Sequence, residues 1–458
     1  MKTMKRRSFL KNTALTSVGS LAVPSIVPST VFGKNAPSNK IHVGQIGCGR
    51  ISRWGDILGV TQHDFAQTIG VCDVDSKRAA DGKANVDQFY AKQGKTVDTK
   101  IFENYQAILA SSDIDAVVIS TPDHWHAQPA IEAALAKKHI YLQKPHAMTI
   151  KEGKLVSDIV QSQGVKFQLG TQQRSSEQFR YACELVRNGR IGKVHTVKIG
   201  LPGDPSGPLA TPEPIPENLD YDAWLGPAPW VDYAEMLVHP QADYSRPGWL
   251  RQEQYCAGMI TGWGQHHFDI AAWGTNTEYT GPVTIEAIAD FPRSGSWNVH
   301  GDFMVRMEFL NGLTFLISGG YPNGIRFEGE NGWIFVTRGN YQATDSDPNS
   351  QDGEQSPLEA SDSQILTDGI GPNDIHLPRS SDHHGNWLES IRNDSEPISN
   401  VEVAHRVGSM CLLGHIAMKF PHRLNWDPTT ETFVGHDKAN EMLSRPQRAP
   451  YGTDHIVY

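Results

Sequence analysis

Apolar and polar positions are laid out in two regimes along the chain. From Ile41 to about residue 170, short unbroken apolar runs recur, each followed by a turn signal and then by a stretch of helical composition. The runs are Ile41–Ile46 (IHVGQI), Thr68–Cys72 (TIGVC), Ala116–Ser120 (AVVIS), His139–Leu142 and Val165–Gly170. Runs this short and continuous, rich in β-branched residues, predict strands buried on both faces. Between them Ser76–Gln93, Phe102–Ala110 (with Tyr105, Ile108 and Leu109 on one side) and Ala127–Lys137 have helical composition. Strand and helix in alternation predict a parallel sheet with helical crossovers.

The second regime begins with an amphipathic helix, Ser176–Asn188 (Phe179, Cys183, Val186), closed by Gly189. From Val194 to Leu201 the pattern changes to period two, the mark of a half-buried strand. Further strands are expected at Val283–Ala289, Phe303–Leu310, Leu313–Ser318 and Gly332–Thr337, with Asn311-Gly312 as a turn signal. Few helices interrupt them, which predicts a mostly antiparallel open sheet. Val401–Phe420 carries an apolar stripe and reads as a core helix, and Asp382–Ile391 reads as another helix. Asn340–Pro378 reads as an exposed excursion, and the tail after Pro421 as irregular. Gly203–Tyr255 has little periodicity but many rings, among them Trp224, Trp230, Tyr244 and Trp249. Such a length is not idle in a compact domain. It is either a set of faces for a sugar ring or an arm packed by its own aromatics.

The stretch around Gly47 gives this architecture its chemistry. Ile41–Ile46 runs into Gly47-Cys48-Gly49 and then Arg50, Ile51 and Ser52. This is a strand, a glycine turn and a helix start, where backbone N–H groups approach a pyrophosphate at the positive helix end. Ser52 stands where the fingerprint has Gly or Ala. Asp73 closes the next strand, placed to accept a hydrogen bond from a ribose hydroxyl. Its carboxylate favours NAD over NADP by repelling a 2′-phosphate, although Lys77 and Arg78 lie just beyond. The fold class is therefore α/β, with an N-terminal Rossmann domain over residues 38–172. A C-terminal α+β domain with the antiparallel sheet follows over 173–458.

Composition narrows the partners. The chain has 458 residues, 38% of them hydrophobic, enough for two well-buried cores. A formal net charge of −10 provides no basic field for nucleic acid. Five cysteines are scattered without a C-x-x-C pair, so free thiols are expected. Nineteen histidines raise a metal question, but there is no H-E-x-x-H or Cys/His array and no catalytic metal is expected. Residues 1–33 stand apart. Lys5-Arg6-Arg7-Ser8-Phe9-Leu10-Lys11 precedes a mildly apolar stretch broken by Pro24 and Pro28, too polar for a membrane helix. This resembles a twin-arginine (Tat) export signal, which implies an exported, periplasmic protein without stable membrane insertion. With no free NAD pool outside the cytoplasmic membrane, the cofactor is expected to be held tightly and recycled in place.

The strand His139–Leu142 ends in Gln143-Lys144-Pro145-His146, which puts an ammonium at the ligand-binding edge of the sheet. There it would stabilise the oxyanion developing as hydride leaves a carbon. Before it, Ser120-Thr121-Pro122-Asp123-His124-Trp125-His126 closes the neighbouring strand. Taken in order, GQIGCG, CDVD, STPDHWH and LQKP resemble the Gfo/Idh/MocA family of sugar oxidoreductases. That family has Glu-Lys-Pro where this chain has Gln143-Lys144-Pro145. The resemblance implies a catalytic Lys144, with Gly47, Gly49, Arg50, Ile51, Asp73, Thr121, Pro122, His124, His126 and Gln143 around NAD. It further implies that His266, in Gly264-Gln265-His266-His267-Phe268-Asp269, is the acid/base for the substrate hydroxyl. The family's aspartate position is Gly262 here, so Asp269 or an acid of the aromatic loop would have to orient His266. An early-helix position would itself depress the imidazole pKa. His267 is either a substitute base or a packed neighbour. Arg174, Trp249, His267, Asp269 and His384 are the weaker substrate-contact candidates.

The expected function is hydride transfer from a sugar or glycoside hydroxyl to bound NAD, in a dimer or tetramer assembled through the second sheet. Two alternatives are an NAD-dependent glycosidase or lyase working by transient oxidation, and a catalytically inactive sugar-binding homologue.

Overall fold

The computed structural model describes residues 40–339 and 356–456. The export-signal segment 1–33 and part of the expected excursion, 340–355, lie outside these residues. The first sheet contains β1 (Ile41–Ile46), β2 (Ala66–Cys72), β3 (Lys100–Ile101), β4 (Ala116–Ile119), β5 (His139–Leu142) and β6 (Phe167–Leu169), in the order β3-β2-β1-β4-β5-β6. Every pairing is parallel. The order reverses between β1 and β4, so their carboxyl ends open a crevice at the switch point. Apart from the exposed two-residue edge strand β3, which the runs did not predict, these strands are buried on both faces as expected. Val117, Ile119, Ile140 and Leu142 pack with Ala130, Ile131, Val156 and Val160 on one side. Val43, Val118 and Tyr141 pack with Val60, Trp387 and Leu388 on the other. Trp387 and Leu388 come from the helix His383–Asn393, so a distant segment completes the first sheet's core.

The second sheet contains β7 (Val194–Gly200), β8 (Thr284–Ala289), β9 (Phe303–Glu308), β10 (Thr314–Ser318), β11 (Gly324–Gly329), β12 (Gly332–Val336), β13 (Leu358–Ala360), β14 (Leu424–Asp427) and β15 (Thr432–Phe433). Its order is β13-β12-β11-β7-β10-β9-β8-β14-β15. The β7–β10 pair is parallel and the others are antiparallel. One face is apolar. Val197, Ile199, Val305, Met307, Phe315, Ile317, Phe327 and Ile334 are buried under the helices Glu177–Arg187, Gly264–Thr275 and Val401–Ala417. Each such side chain contributes roughly 1.5–3 kcal/mol by leaving water. The helix Val401–Ala417 joins the two cores, with Val401 and Ala404 in the first and Val403, Val407 and Met410 in the second.

Two expectations need correction. β13 lies within the segment read as an excursion and pairs with β12. The tail after Pro421, read as irregular, supplies β14 and β15. These strands span only two to four residues, too few for a period to register, and neighbouring strands hold them in place.

Residues 203–255 form an arm with its own core of Leu219, Tyr221, Trp224, Tyr233 and Tyr255. The arm is bolted to the first domain. Asp75 caps the helix Ser76–Lys92 by accepting from the amides of Lys77 and Arg78, and it also accepts from Asn218 Nδ2 (2.8 Å). His239 Nε2 lies 3.0 Å from its other oxygen. Lys77 donates to the Gln241 carbonyl, and Arg78 to those of Pro240 and Asp243. The Tyr244 ring lies between the guanidinium groups of Arg53 (4.8 Å) and Arg78 (4.5 Å), and its hydroxyl donates to Asp81.

Candidate active site

A cleft of about 870 Å³ runs from the glycine turn, along the ends of β4 and β5, to the helices at 259–275. At its first end Gly47 has φ +84°, and a Cβ there would lie 2.9 Å from the Ser120 carbonyl oxygen, so only glycine fits. Gly49 instead faces open space, leaving its backbone approachable by a phosphate. Arg50, Ile51 and Asp73 line the same end. Asp73 braces the turn, accepting from the Cys48 amide (2.7 Å) and the Asp75 amide (2.9 Å). These features fit a dinucleotide. Lys77 and Arg78, the cations that would favour a 2′-phosphate, are held by the arm's carbonyls, which fits NAD.

The middle of the cleft is built on paired strand ends, since Ile119 of β4 stands beside Leu142 of β5. Thr121, Pro122 and Asp123 follow the first, Gln143 and Lys144 the second, and all five line the cleft. Lys144 Nζ donates to the Gly262 carbonyl across the cleft (2.7 Å), fixing the ammonium between the two domains. Gln143 is explained by Asp56, a residue the sequence reading passed over. A π-helical turn over Ser52–Asp56 places Asp56 wholly inside the protein. Its oxygens accept from Gln143 Nε2 (2.8 Å) and Ser120 Oγ (2.6 Å), with His384 Nε2 at 3.0 Å. A glutamate at 143 would set two carboxylates against each other, whereas an amide satisfies the buried one.

At the far end are Gly262, Trp263, His266 and Arg338. Asp204 holds this wall in place, accepting from the Met259 amide (2.7 Å) and from Arg251 (2.6 Å). A Cβ at Gly262 would meet nothing within 4 Å, so the lost side chain leaves room. Burial, and then the charges of Arg338 and Lys144, push the His266 imidazole well below its ordinary pKa. The depression expected from the helix end is thus present, but its causes are desolvation and two cations. His266 Nδ1 has no hydrogen-bond partner among the described residues.

Several expected contacts are turned elsewhere. His124 lies under the arm with Nε2 on the Trp224 carbonyl (2.9 Å), and His126 bridges the carbonyls of Thr121 and Pro145, so neither lines the cleft. Both hold the strand ends in place. Asp269 cannot orient His266, because Arg174 takes both its oxygens at 2.7 Å and also reaches Glu278. A buried guanidinium requires such partners, and this pair fastens the helix Gly264–Thr275 internally. His267 contacts the Gly200 carbonyl within the core. Trp249 and His384 do line the cleft, the latter stacked on Tyr141 at 4.3 Å. Sequence reading also missed Arg338, stacked over Trp263 (4.5 Å), and Tyr451, which reaches the cleft from the tail. No local pattern marks either one.

All five cysteines are buried and unpaired. Among the described residues, no group of three or more His, Cys, Asp or Glu is arranged to hold a metal ion. No helix among them is long and apolar enough to cross a membrane.

A Rossmann sheet with a glycine turn faces a second sheet domain across one cleft, the architecture of a two-domain dinucleotide-binding protein. Residues 41–171 match the oxidoreductase family with an NAD-binding Rossmann fold, and 207–344 with 371–453 match that family's C-terminal alpha/beta domain. The chain belongs to the Gfo/Idh/MocA oxidoreductase family. It is 29% identical over 184 residues to the oxidoreductase YrbE of Bacillus subtilis (strain 168), covering 40% of this chain and 48% of that protein. It is 33% identical over 117 residues to levoglucosan dehydrogenase of Pseudarthrobacter phenanthrenivorans, covering 24% and 30%. The chain thus spans less than half the length of these curated relatives. The fold resembles the crystal structure of a levoglucosan dehydrogenase with NADH and levoglucosan, at TM-score 0.58 and 16% identity, covering 87% of this chain and all of that one.

Proposed function

We propose that this protein oxidises a hydroxyl of a sugar or glycoside, using NAD held in the cleft. One observation carries the reading: the glycine turn, Lys144 and His266 line a single continuous cleft formed by both domains. The turn at 47–50 and Asp73 would hold the dinucleotide. The chemistry bound NAD supplies is acceptance of a hydride from the carbinol carbon. Lys144, whose ammonium donates to the Gly262 carbonyl and lines the cleft, would stabilise negative charge developing on the substrate oxygen. Trp263 and Trp249 offer apolar faces at the cleft, suited to a sugar ring.

The test has two parts. Intact-mass and denatured-extract mass spectrometry of the purified protein should show co-purified NAD. Aldoses, uronic acids and 1,6-anhydro sugars should then be screened for NADH absorbance. Absence of both a dinucleotide and any reduction would defeat the proposal. Elimination products without net NADH would instead indicate the transient-oxidation lyase.

We further propose that residues 1–33 direct export by the twin-arginine route. Fusing them to a folded reporter should deliver it outside the cytoplasm, and replacing Arg6-Arg7 by Lys-Lys should abolish delivery. An oligomer through the second sheet is supported by Ile288 and Met304, a directly opposed pair on β8 and β9 that is 72% and 44% exposed. Light scattering should give a dimer or tetramer, shifted toward monomer by Ile288→Lys.

A further inference from the structure

We propose that Asp123, rather than His266, takes the proton of the substrate hydroxyl. This rests on the oxidoreductase reading above and assigns that site its base.

Asp123 is only 4% exposed and lines the cleft, yet its Oδ2 has no hydrogen-bond partner among the described residues. The carboxylate takes a hydrogen bond from its own backbone N–H, and a buried carboxylate oxygen left beyond that without a partner is costly and needs an explanation. Helix capping does not supply one. Asp75, Asp220, Asp362 and Asp382 each stand at a cap position and accept a backbone N–H of the helix that follows, whereas Asp123 is the first residue inside its turn, whose cap position is Pro122. The titratable groups that face Asp123 are Lys144, from the adjacent strand end, and the buried Cys256 thiol. Burial pushes its carboxyl up to about 7 against the opposing pull of Lys144. A carboxylate so placed is ionised about half the time at neutral pH, the condition under which a general base is most effective.

Charge decides between the two candidates. Burial and the charges of Arg338 and Lys144 oppose a protonated His266, whereas burial favours a protonated Asp123. The substrate O–H bond breaks and its proton forms the O–H of the Asp123 carboxylic acid. The C–O bond becomes a carbonyl as the carbon gives up its hydride to the oxidant named above. The open space at Gly262 leaves room for the reacting carbon between Lys144, Asp123 and His266.

The test uses the full chain with its cofactor. With a sugar from the screen that reduces the bound cofactor, wild-type turnover should rise with pH through an apparent pKa near 7. Asp123→Asn should lower turnover about 100-fold or more and flatten that rise, with co-purified NAD unchanged by mass spectrometry. Asp123→Glu should keep the rise. Gly262→Asp added to Asp123→Asn should return about tenfold by supplying a carboxylate from the opposite wall. A rise that survives in Asp123→Asn, or one that vanishes in His266→Asn, overturns the proposal. Infrared titration without sugar, taken as the difference between wild type and Asp123→Asn so that the raised carboxyls of Asp73, Asp204 and Glu396 cancel, gives an independent readout. A carboxylic-acid C=O stretch should persist to about pH 7 and be lost above it, and its absence at pH 5–6 would overturn the proposal. If no sugar is oxidised, the functional reading fails while this titration still reports on Asp123.

Discussion

Two buried aspartates, Asp75 and Asp123, follow the carboxyl ends of parallel strands in the same sheet, but their surroundings treat them in opposite ways. Asp75 is saturated with donors: two backbone amides, Asn218, Gln241 and His239. Burial raises its pKa, but the His239 and Asn218 hydrogen bonds and the His239 charge outweigh this and hold it well below the ordinary carboxylate range. At Asp123 burial outweighs the pull of Lys144 and a hydrogen bond from its own backbone N–H, and its carboxyl is pushed up. A buried carboxylate given donors becomes a fastener, and one denied them becomes a reservoir for a proton. At the nucleotide end the cleft is fastened by the arm. At the chemical end Asp123 Oδ2 and His266 Nδ1 have no hydrogen-bond partner among the described residues.

The largest effect that would test this contrast is at Lys144, which should be essential to turnover and irrelevant to the arm. Lys144→Met should lower turnover about 1,000-fold, at the upper end for removal of one oxyanion donor, while NAD content and melting temperature hold. Loss of NAD as well would show that the two ends are not separable. Next in size is Asp75→Ala, which removes a helix cap and strands the arm's donors. It should cost about 3 kcal/mol in denaturant unfolding and speed NAD release, measured by dilution and fluorescence.

The two aspartates should also answer pH with opposite sign. Asp75 ionises more readily in the folded protein, so its contribution is complete above about pH 4 and lost as pH falls further. Asp75→Asn should therefore flatten the acid loss of thermal stability below that point. Asp123 ionises less readily in the folded protein, so stability declines between about pH 4 and 7 on its account. Asp123→Asn should melt at a higher temperature than wild type at pH 8, and the two should converge near pH 4. Equal melting temperatures at pH 8 would remove the contrast. The smallest effect is at Gly262, where a Cβ meets nothing. Gly262→Asp alone should change stability by no more than about 1 kcal/mol in thermal unfolding.

The first domain was largely legible in the sequence because its strands, apart from the exposed two-residue β3, are buried on both faces and print short apolar runs. The glycine turn was legible because a positive φ at Gly47 admits little else. Lys144 was found because it follows such a run directly. The second sheet was partly legible. β7 to β10 and β12 alternate over enough residues to show a period, whereas β13, β14 and β15 are too short. Within the site, Asp56 was hidden in a helix start whose π-turn rotates it inward. Arg338 and Tyr451 reach the cleft from segments with no local signature. Asp123 was in view, within a ring-rich loop, but its isolation from donors was not.

The sequence by itself determined the βα rhythm, the glycine turn beside a paired acidic residue, and the lysine at a strand's end. Those depend on burial period and backbone sterics, which act over a few residues. Only the tertiary structure decided that Asp269 belongs to Arg174, that His124 and His126 face inward, and that Asp123 faces Lys144 with Oδ2 unpartnered among the described residues. Those outcomes depend on which polar atoms meet across distant segments, and a buried carboxylate's chemistry is set by such partners rather than by its neighbours in the chain.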